Sequence, residues 1–345
     1  DLMAVVAVGD FNGDKIEEQI KAQFSQIPVH PNPKERKEYD VPLHDETRYL
    51  VVSDPEATGN SVGISYKFPK NKSNNSLSDL RSEQLIEMFT EMFNNRLTER
   101  TKNPESALIY GYNYAGSWVR NVDGLNIGAG VKPGMIEQGL EEVLVELERV
   151  LRYGFTESEF ERQKRTSLKQ IETQYNERDK TDSGDLRWQF LDIFFENGNS
   201  IGIESAYRIM NKMVPTLNVS ELNTLIQKIK DSPSRVVTAD CPEKEGVEIP
   251  TNEDLKRIDN SIKDLEINPY EDKVITSPLV AEVPLPTRIK DYKSHDEVGV
   301  MEFLLENGVR VLLKPTDFKN DEILFSAYSP GGHSLVEDAK FMSAK

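Results

Sequence analysis

A long helical block with strand patterns on both sides is the feature that most constrains the fold of this chain. From residue 133 to 229, apolar residues recur almost throughout at the spacing of amphipathic helices. Before the block, Val62, Ile64, Tyr66 and Phe68 alternate with polar or small residues, as in a half-buried strand. After it, residues 235–239 return to a strand pattern. The order predicts an α+β fold, with a mixed or antiparallel sheet and helices packed on one face.

The remaining elements follow from the same periodicities and from local start and turn signals. Further strands are predicted at 3–8, 49–52, 110–114, 125–131 and 322–328, and further helices at 12–24, 76–98, 186–195 (ended by Gly198) and 217–229. Asp123-Gly124 supplies turn residues between two strands, and Thr156 with Glu159 predicts a capping box. A methionine–aromatic stripe on the helix at 76–98 is typical of core: Leu85, Met88, Phe89, Met92 and Leu97.

The domain organisation is predicted from a break in this pattern. Residues 1–242 are expected to form one domain, and residues 243–297 an extended, proline-containing linker that lies along the domains it joins. Residues 298–345 then begin a further domain with a hairpin that turns at Asn307-Gly308. Because this last part has strands but no complete helix to cover them, we expect the chain to be a piece of a longer protein.

Charge and hydropathy narrow the classes of partner. The formal net charge of −17 repels phosphate backbones and anionic lipid headgroups, so neither nucleic acid nor a membrane surface is an expected partner. Surplus acidic residues mainly favour solubility, although an acidic wall attracts basic peptides. The longest apolar run, residues 2–8, is far too short to span a bilayer.

Metal-binding motifs are not found in the sequence. Its four histidines, His30, His44, His295 and His333, form neither an HExxH nor an inverted HxxEH motif. His44 and His295 lie in polar loops, where solvated side chains are expected. His333 and Glu337 could meet on one helical turn, but a zinc site needs a third ligand. We therefore predict no metal ligand in this chain, and a small buried thiol at its single cysteine, Cys241.

Catalytic and cofactor motifs are also incomplete. Asp10, Asn12 and Asp14 imitate the start of a calcium loop, but lysines occupy the positions of its glycine and its bidentate glutamate. Gly128 and Gly130 lack the third glycine and the following helix of a phosphate-binding turn. Ser334 follows His333 without a nucleophile elbow. We predict no catalytic residue in the chain.

Several segments, in this order, resemble the insulinase/pitrilysin family of zinc peptidases. They are residues 3–11 with the helix that follows, Phe93-Asn-Asn-Arg-Leu-Thr-Glu-Arg100 with Tyr110, Gly154-Phe-Thr-Glu-Ser-Glu159, Asn307-Gly-Val-Arg-Val-Leu-Leu-Lys-Pro-Thr316 and Ser329-Pro-Gly-Gly332. The resemblance covers nearly the whole chain. It implies the α+β repeat of the mitochondrial-processing-peptidase type, with residues 1–242 as the non-catalytic second domain and residues 298–345 as the start of the next repeat.

The same resemblance implies where the chemistry lies. Members hold zinc with the inverted HxxEH helix and a distal glutamate in a first domain, which would precede this chain. The preceding catalytic domain and a peptide substrate are therefore the implied partners, with zinc outside this chain. Some members also hold substrate with an arginine and a tyrosine, for which Arg100 and Tyr110 are the candidates. Alternatively, Arg100 interacts with the dipole of its helix and Tyr110 lines the sheet.

Two functions remain open from the sequence. In the first, the chain is a non-catalytic part of the substrate chamber of a zinc endopeptidase. In the second, it is a zinc-free structural or peptide-binding scaffold of the same fold. An intact HxxEH motif upstream favours the peptidase, and its loss favours the scaffold. The resemblance to bacterial peptidases suggests the periplasm or cell envelope as the location.

Overall fold

The chain divides into two compact units. A computed structural model describes residues 3–28, 31–32, 37, 39–70, 76–196, 201–230, 232–244, 248–272, 277–278 and 280–344. The first unit comprises residues 1–175 and 181–279, and the second comprises residues 176–180 and 280–345. The limits at 242 and 297 separate a predicted domain, a linker and a further domain, and not compact units, so they stay a prediction.

A five-stranded mixed sheet is the centre of the first unit. Its strands are β1 (Arg48–Asp54), β2 (Asn60–Pro69), β3 (Leu108–Val119), β4 (Val122–Val131) and β5 (Arg235–Pro242), in the order β1-β5-β2-β4-β3. Strand β1 pairs with β5 in parallel, whereas the other neighbours are antiparallel. The predicted α+β class with a mixed sheet is confirmed.

Helices supply most of the rest of the first unit. They are α1 (Gly13–Phe24), α2 (Leu77–Thr101), α3 (Ile136–Tyr153), α4 (Glu157–Asn176), α5 (Ser183–Glu196), α6 (Ile203–Met213), α7 (Val219–Lys230) and α8 (Asn252–Asp264). Local capping begins several of them. Ser76 and Asp79 form a capping box at α2, and Thr251 and Asp254 form one at α8. The predicted cap at Thr156 is confirmed, because the Glu159 amide donates to the Thr156 hydroxyl at 3.3 Å.

The core lies between one face of the sheet and the helix layer. Alternate residues of the central strands, such as Ile64, Ile127 and Val237, are fully buried against α2 and α3. The predicted core stripe of α2 is confirmed, since all five of its members are buried. Each large apolar side chain of this kind contributes about 1.5–3 kcal/mol through burial. Cys241 is buried in the same core, as predicted.

The proposed linker contributes to this core. Helix α8 lies within residues 243–297 and buries Leu255, Ile258 and Ile262 against the first unit. Its Asp259 accepts two hydrogen bonds from Arg235 at 2.7 and 3.0 Å, and a third from the Tyr49 hydroxyl at 2.8 Å. This segment is therefore an integral layer of the sheet domain as well as a connection.

Three local predictions are wrong. Residues 3–8 are not a strand, although the helix that follows is capped by Asn12 as predicted. The β3–β4 turn lies at residues 120–121, because Asp123 and Gly124 already pair with Ser117 and Gly116. Residues 322–328 are solvent-exposed and form no strand, and they pair with none of the strands of the described second unit. The apolar patterns at 3–8 and 322–328 thus lack a neighbouring strand.

The second unit contains a three-stranded antiparallel sheet. Its strands are β6 (Ile289–His295), β7 (Val300–Leu305) and β8 (Arg310–Leu313), and a short helix α9 (Phe341–Ala344) follows. The predicted turn at Asn307-Gly308 is confirmed, and Gly308 adopts the φ of +86° that favours glycine there. Strand β6 is an addition to the prediction, since residues 289–295 were assigned to the linker.

Candidate functional site

The junction between α2 and β3 carries both residues predicted to bind substrate. Arg100 lies in the last turn of α2, and its guanidinium donates to the Glu142 carboxylate of α3 at 3.2 Å. Glu142 also accepts from the Ser106 hydroxyl at 2.6 Å and from the Ala107 amide at 2.9 Å. Arg100 thereby joins the helix end to the buried start of β3.

The environment of Glu142 keeps this carboxylate charged. Burial by itself would raise its pKa, but hydrogen bonds from Ser106 and Ala107 and the charge of Arg100 outweigh burial and lower the pKa. An ionised Glu142 is therefore available as a fixed partner for Arg100.

Tyr110 lies on the other side of the sheet. A Cβ atom placed on Gly130 would come within 2.3 Å of its ring, so the ring lies directly over that glycine. Tyr112 covers Gly128 in the same way. Arg100 instead contacts Glu142 in the helix layer. The structure thus directs the two predicted residues to different faces, and their shared role in substrate binding stays a prediction.

A second feature near Arg100 is a polar cavity of about 700 Å³. Its lining combines charged residues of α2 and α3 with the segment that follows α8: Arg96, Glu99, Arg100, Asn103, Glu146, Arg149, Asn268, Pro269, Tyr270 and Glu271. These residues bond largely to one another. The Tyr270 hydroxyl donates to Glu99 at 2.6 Å, and Arg149 donates to the Asn268 carbonyl at 3.0 Å and to Glu146.

Arg96 is the buried centre of this network. Its guanidinium makes two hydrogen bonds to Glu159, at 2.8 and 2.9 Å, and reaches Glu146 at 3.4 Å. It also lies 4.7 Å from the ring centre of Phe155 and 4.1 Å from that of Tyr270. Arginine suits this position better than lysine, because its planar guanidinium can bond a carboxylate along one edge while it contacts aromatic rings.

The segment after α8 is attached by further arginines. Arg152 donates to the carbonyls of Ile262, Lys263 and Leu265 at 2.8–3.0 Å. Arg162 makes two bonds to Asp272, at 2.6 and 3.1 Å, and this interaction lowers the pKa of Asp272. Residues 262–272 are therefore held along their length by side chains of α3 and α4.

The described histidines are each engaged locally. His44 is buried, contrary to the expected solvated state, because its amide donates to the Ser234 hydroxyl at 3.3 Å and its ring contacts the Glu46 carbonyl. His295 is partly buried and contacts Glu302 at 2.6 Å. His333 packs edge-on against Phe341, with 5.1 Å between ring centres. His30 lies outside the described residues.

Metal-binding geometry was sought in the part of the chain that the structure describes. No three histidine, cysteine, aspartate or glutamate side chains are placed there to hold an ion. The donors present therefore do not fit the zinc site of the resembled family.

The helices described in the first and second units also include none that is long and apolar enough to cross a bilayer.

The buried network was only partly visible in the sequence. The pair Thr156–Glu159 was identified as a cap, and Glu159 does accept from the Thr156 amide at 2.9 Å. Its second role, as the ion-pair partner of Arg96 across 63 positions of sequence, has no local signal. The sequence shows Arg96 only as one residue of the segment Phe93–Arg100 that resembles the peptidase family.

Comparison with known proteins adds a family match. Residues 1–167 match the family model described as the peptidase M16 inactive domain. Across 99% of its length, the chain is 29% identical to a protein of Arabidopsis thaliana named zinc protease PQQL-like, and it covers 33% of that protein. It is 20% identical to the probable zinc protease PqqL of Haemophilus influenzae, with 96% of this chain and 36% of that protein covered.

A solved structure supports the fold. The crystal structure of the periplasmic protease PqqL from Escherichia coli matches with a TM-score of 0.69 and 17% sequence identity. The match covers 89% of this chain and 34% of that one. The chain thus spans about a third of the length of the relatives that it matches.

Proposed function

We propose that the chain is a non-catalytic part of a zinc-dependent endopeptidase, because residues 1–167 match the family model of the peptidase M16 inactive domain. In this proposal its sheet and helices form part of the wall of the chamber that encloses a peptide substrate. The supporting observation is the family match, together with similarity along 99% of the chain to a relative named as a zinc protease.

The proposal places the chemistry outside this chain. A preceding catalytic domain would hold zinc, which polarises the scissile carbonyl and activates water. The residues described here would position that domain and contact the peptide. Within this role, Tyr110 is proposed to face the substrate, whereas Arg100 is proposed to act through Glu142 by fixing the start of β3.

Location is a further proposal. The Escherichia coli relative is described as periplasmic, which favours the bacterial periplasm or cell envelope for a protein of this type.

The test uses a longer protein that contains this chain together with the proposed catalytic domain. We expect it to bind one zinc ion per chain and to hydrolyse peptides, and we expect a chelator to abolish hydrolysis and added zinc to restore it. The 345-residue chain alone should hydrolyse none of the same peptides. A longer protein with no upstream HxxEH motif, no bound zinc and no hydrolysis would identify a scaffold instead.

The candidate substrate residues can be tested in the same assay. Tyr110→Phe with Arg100→Ala should change kcat/KM little if both residues serve the fold. A large loss of kcat/KM with an unchanged melting temperature would instead assign them to substrate binding.

A further inference from the structure

We propose that the sheet face opposite the helices binds an extended peptide. On this face, aromatic rings lie along one side, and charges of opposite sign lie at the two ends. This tyrosine face is defined by Tyr110, Tyr112 and Tyr114 of β3 with Ser61, Gly63 and Ser65 of β2. The inference rests on the proposed function, since it locates the substrate on the part of the wall that this chain forms.

The rings of Tyr110 and Tyr112 are stacked, and Tyr114 follows on the same face of β3; the three tyrosines are called the ladder. The ring centres of Tyr110 and Tyr112 are 6.5 Å apart, and their planes differ by 24°. About half of each tyrosine of the ladder is exposed: 56% of Tyr110, 51% of Tyr112 and 55% of Tyr114. Two residues of an extended chain advance about 6.6 Å, so alternate side chains of a bound peptide would meet successive rings. The ladder therefore matches an extended peptide better than a helix.

The floor beside the ladder is made of small residues. The rings cover Gly128 and Gly130 of β4, and the next strand, β2, presents the partly exposed Ser61, Gly63 and Ser65 beside them. With so few side-chain atoms, a second backbone can approach the sheet closely. The tyrosines form the wall on one side of this floor, and the exposed Leu50 of β1 lies on the other.

Charge differs between the two ends of the face. Asp240 pairs with Ser61, which in turn lies beside Gly130, the partner of Tyr110, so Asp240 is level with Tyr110. Asp54 of β1 lies at the same end of the sheet. Arg48 is level with Val236, four residues along β5 from Asp240, a separation of about 13 Å. Lys67, which pairs with Gly124, lies at the same end as Arg48. A peptide with one basic and one acidic end complements this gradient, and its basic end gains cation–π contact with Tyr110.

The open edge of β3 is a less suitable place for the peptide. The backbone of Asn113, at the middle of this edge strand, is already hydrogen-bonded to the Asn94 side chain. Addition of a peptide strand at this edge would have to displace the Asn94 side chain. Binding on the tyrosine face leaves the bonds between Asn94 and Asn113 in place.

The experiment is titration of a fluorescein-labelled ten-residue peptide with the 345-residue chain, followed by anisotropy. The peptide has two lysines at one end, six alternating valines and threonines, and two glutamates at the other end. We expect saturable binding that weakens with salt. Replacing its four charged residues by glutamine should weaken binding by about tenfold.

Matched variants locate the binding. Asp240→Lys should weaken binding by about tenfold, whereas Glu141→Lys, with the same charge change on an exposed residue of α3, should leave it unchanged. Tyr112→Ala, which removes one ring, and Ser61→Phe, which adds bulk to the floor, should each weaken binding similarly. Near-ultraviolet circular dichroism and the melting temperature identify any variant that fails to fold.

Several outcomes would overturn the inference. They are absence of binding below about 1 mM peptide, folded Asp240→Lys and Ser61→Phe variants that bind like the original chain, and a dimer that Tyr112→Ala converts to monomer. The last result would assign the face to a second copy of the chain. Peptide binding without zinc-dependent hydrolysis in the longer protein would contradict only the proposed function, and hydrolysis without this binding would contradict only the inference.

Discussion

The side-chain amide of Asn94 is hydrogen-bonded to both backbone groups of Asn113. Its oxygen accepts from the Asn113 amide at 2.6 Å, and its nitrogen donates to the Asn113 carbonyl at 3.3 Å. In an antiparallel pair, a residue exchanges either both of its backbone bonds with its partner or neither. Both backbone groups of Asn113 bond to Asn94 and not to its β4 partner Ile127, so they face the open edge of β3, where a helix side chain takes the place of a neighbouring strand.

Removing this side chain should expose the edge. We expect Asn94→Ala to lower the free energy of unfolding by about 1–3 kcal/mol, because two backbone groups lose their partners, and to increase self-association at the freed edge. Urea unfolding and sedimentation velocity measure the two effects. Asn95→Ala, an exposed asparagine one position along α2, is the matched control and should change neither. A stable, monomeric Asn94→Ala variant would contradict this role.

The buried guanidinium of Arg96 should be among the most sensitive positions in the chain. Arg96→Ala leaves the buried Glu159 without its cation, whereas the buried Glu146 keeps Arg149, so we expect a loss of about 3–5 kcal/mol in urea unfolding. Arg96→Lys should recover little of this loss, because an ammonium cannot bond along an edge and stack on two rings. Arg165→Ala, at an exposed position of α4, should be nearly neutral. Full recovery by lysine would show that charge alone is required.

The lowered pKa of Glu142 predicts a defined dependence of stability on pH. A carboxylate whose pKa is lower in the folded state stabilises that state above its unfolded pKa, and the contribution is lost as pH falls through the folded pKa. The difference in unfolding free energy between the original chain and Glu142→Gln should therefore be constant above about pH 5 and shrink below about pH 4. Glu141→Gln, at the neighbouring exposed position of α3, is the matched control for the loss of one negative charge. A difference that grows on acidification would reverse the assigned sign.

The contact between Gly128 and Tyr112 predicts a thermodynamic coupling. A Cβ atom on residue 128 would lie 2.7 Å from the Tyr112 ring, so Gly128→Ala must displace the ring. We expect Gly128→Ala to cost about 1–2 kcal/mol in the original chain and much less in a Tyr112→Ala background. Gly59→Ala, where no atom lies within 4 Å of the added carbon, should cost little in either background. If Gly128→Ala costs the same in both backgrounds, contact with the Tyr112 ring is not the cause of the loss of stability.

Helical elements were largely predictable because their signals are local. The stripe from Leu85 to Leu97 and the Thr156–Glu159 cap depend on residues a few positions apart, and both are confirmed. Strands were less predictable. Residues 3–8 and 322–328 have strand-like apolar patterns, yet a strand also needs a neighbour for its backbone, and a pattern does not say whether that neighbour is present.

The candidate site was predictable to a smaller extent. Arg100 and Tyr110 were placed correctly on a helix end and a strand, but their spacing in sequence does not reveal that they face opposite sides of the sheet. The contact between the Trp118 ring and Gly124 was likewise not predictable from the spacing of the two residues in the sequence. The glycine was interpreted as a turn residue, whereas it provides space for a ring from the neighbouring strand.

The sequence by itself therefore determined the order of helices and strands, the apolar stripes that form the core, and the resemblance to a peptidase family. Only the tertiary structure decided which charges pair in the interior, which strand edge Asn94 covers, and which face carries the tyrosine ladder. The physical reason is the separation in sequence between the residues that interact. Helical periodicity and caps act over a few residues, whereas the bond from Arg96 to Glu159 and the register of β3 on β4 exist only after distant segments pack together.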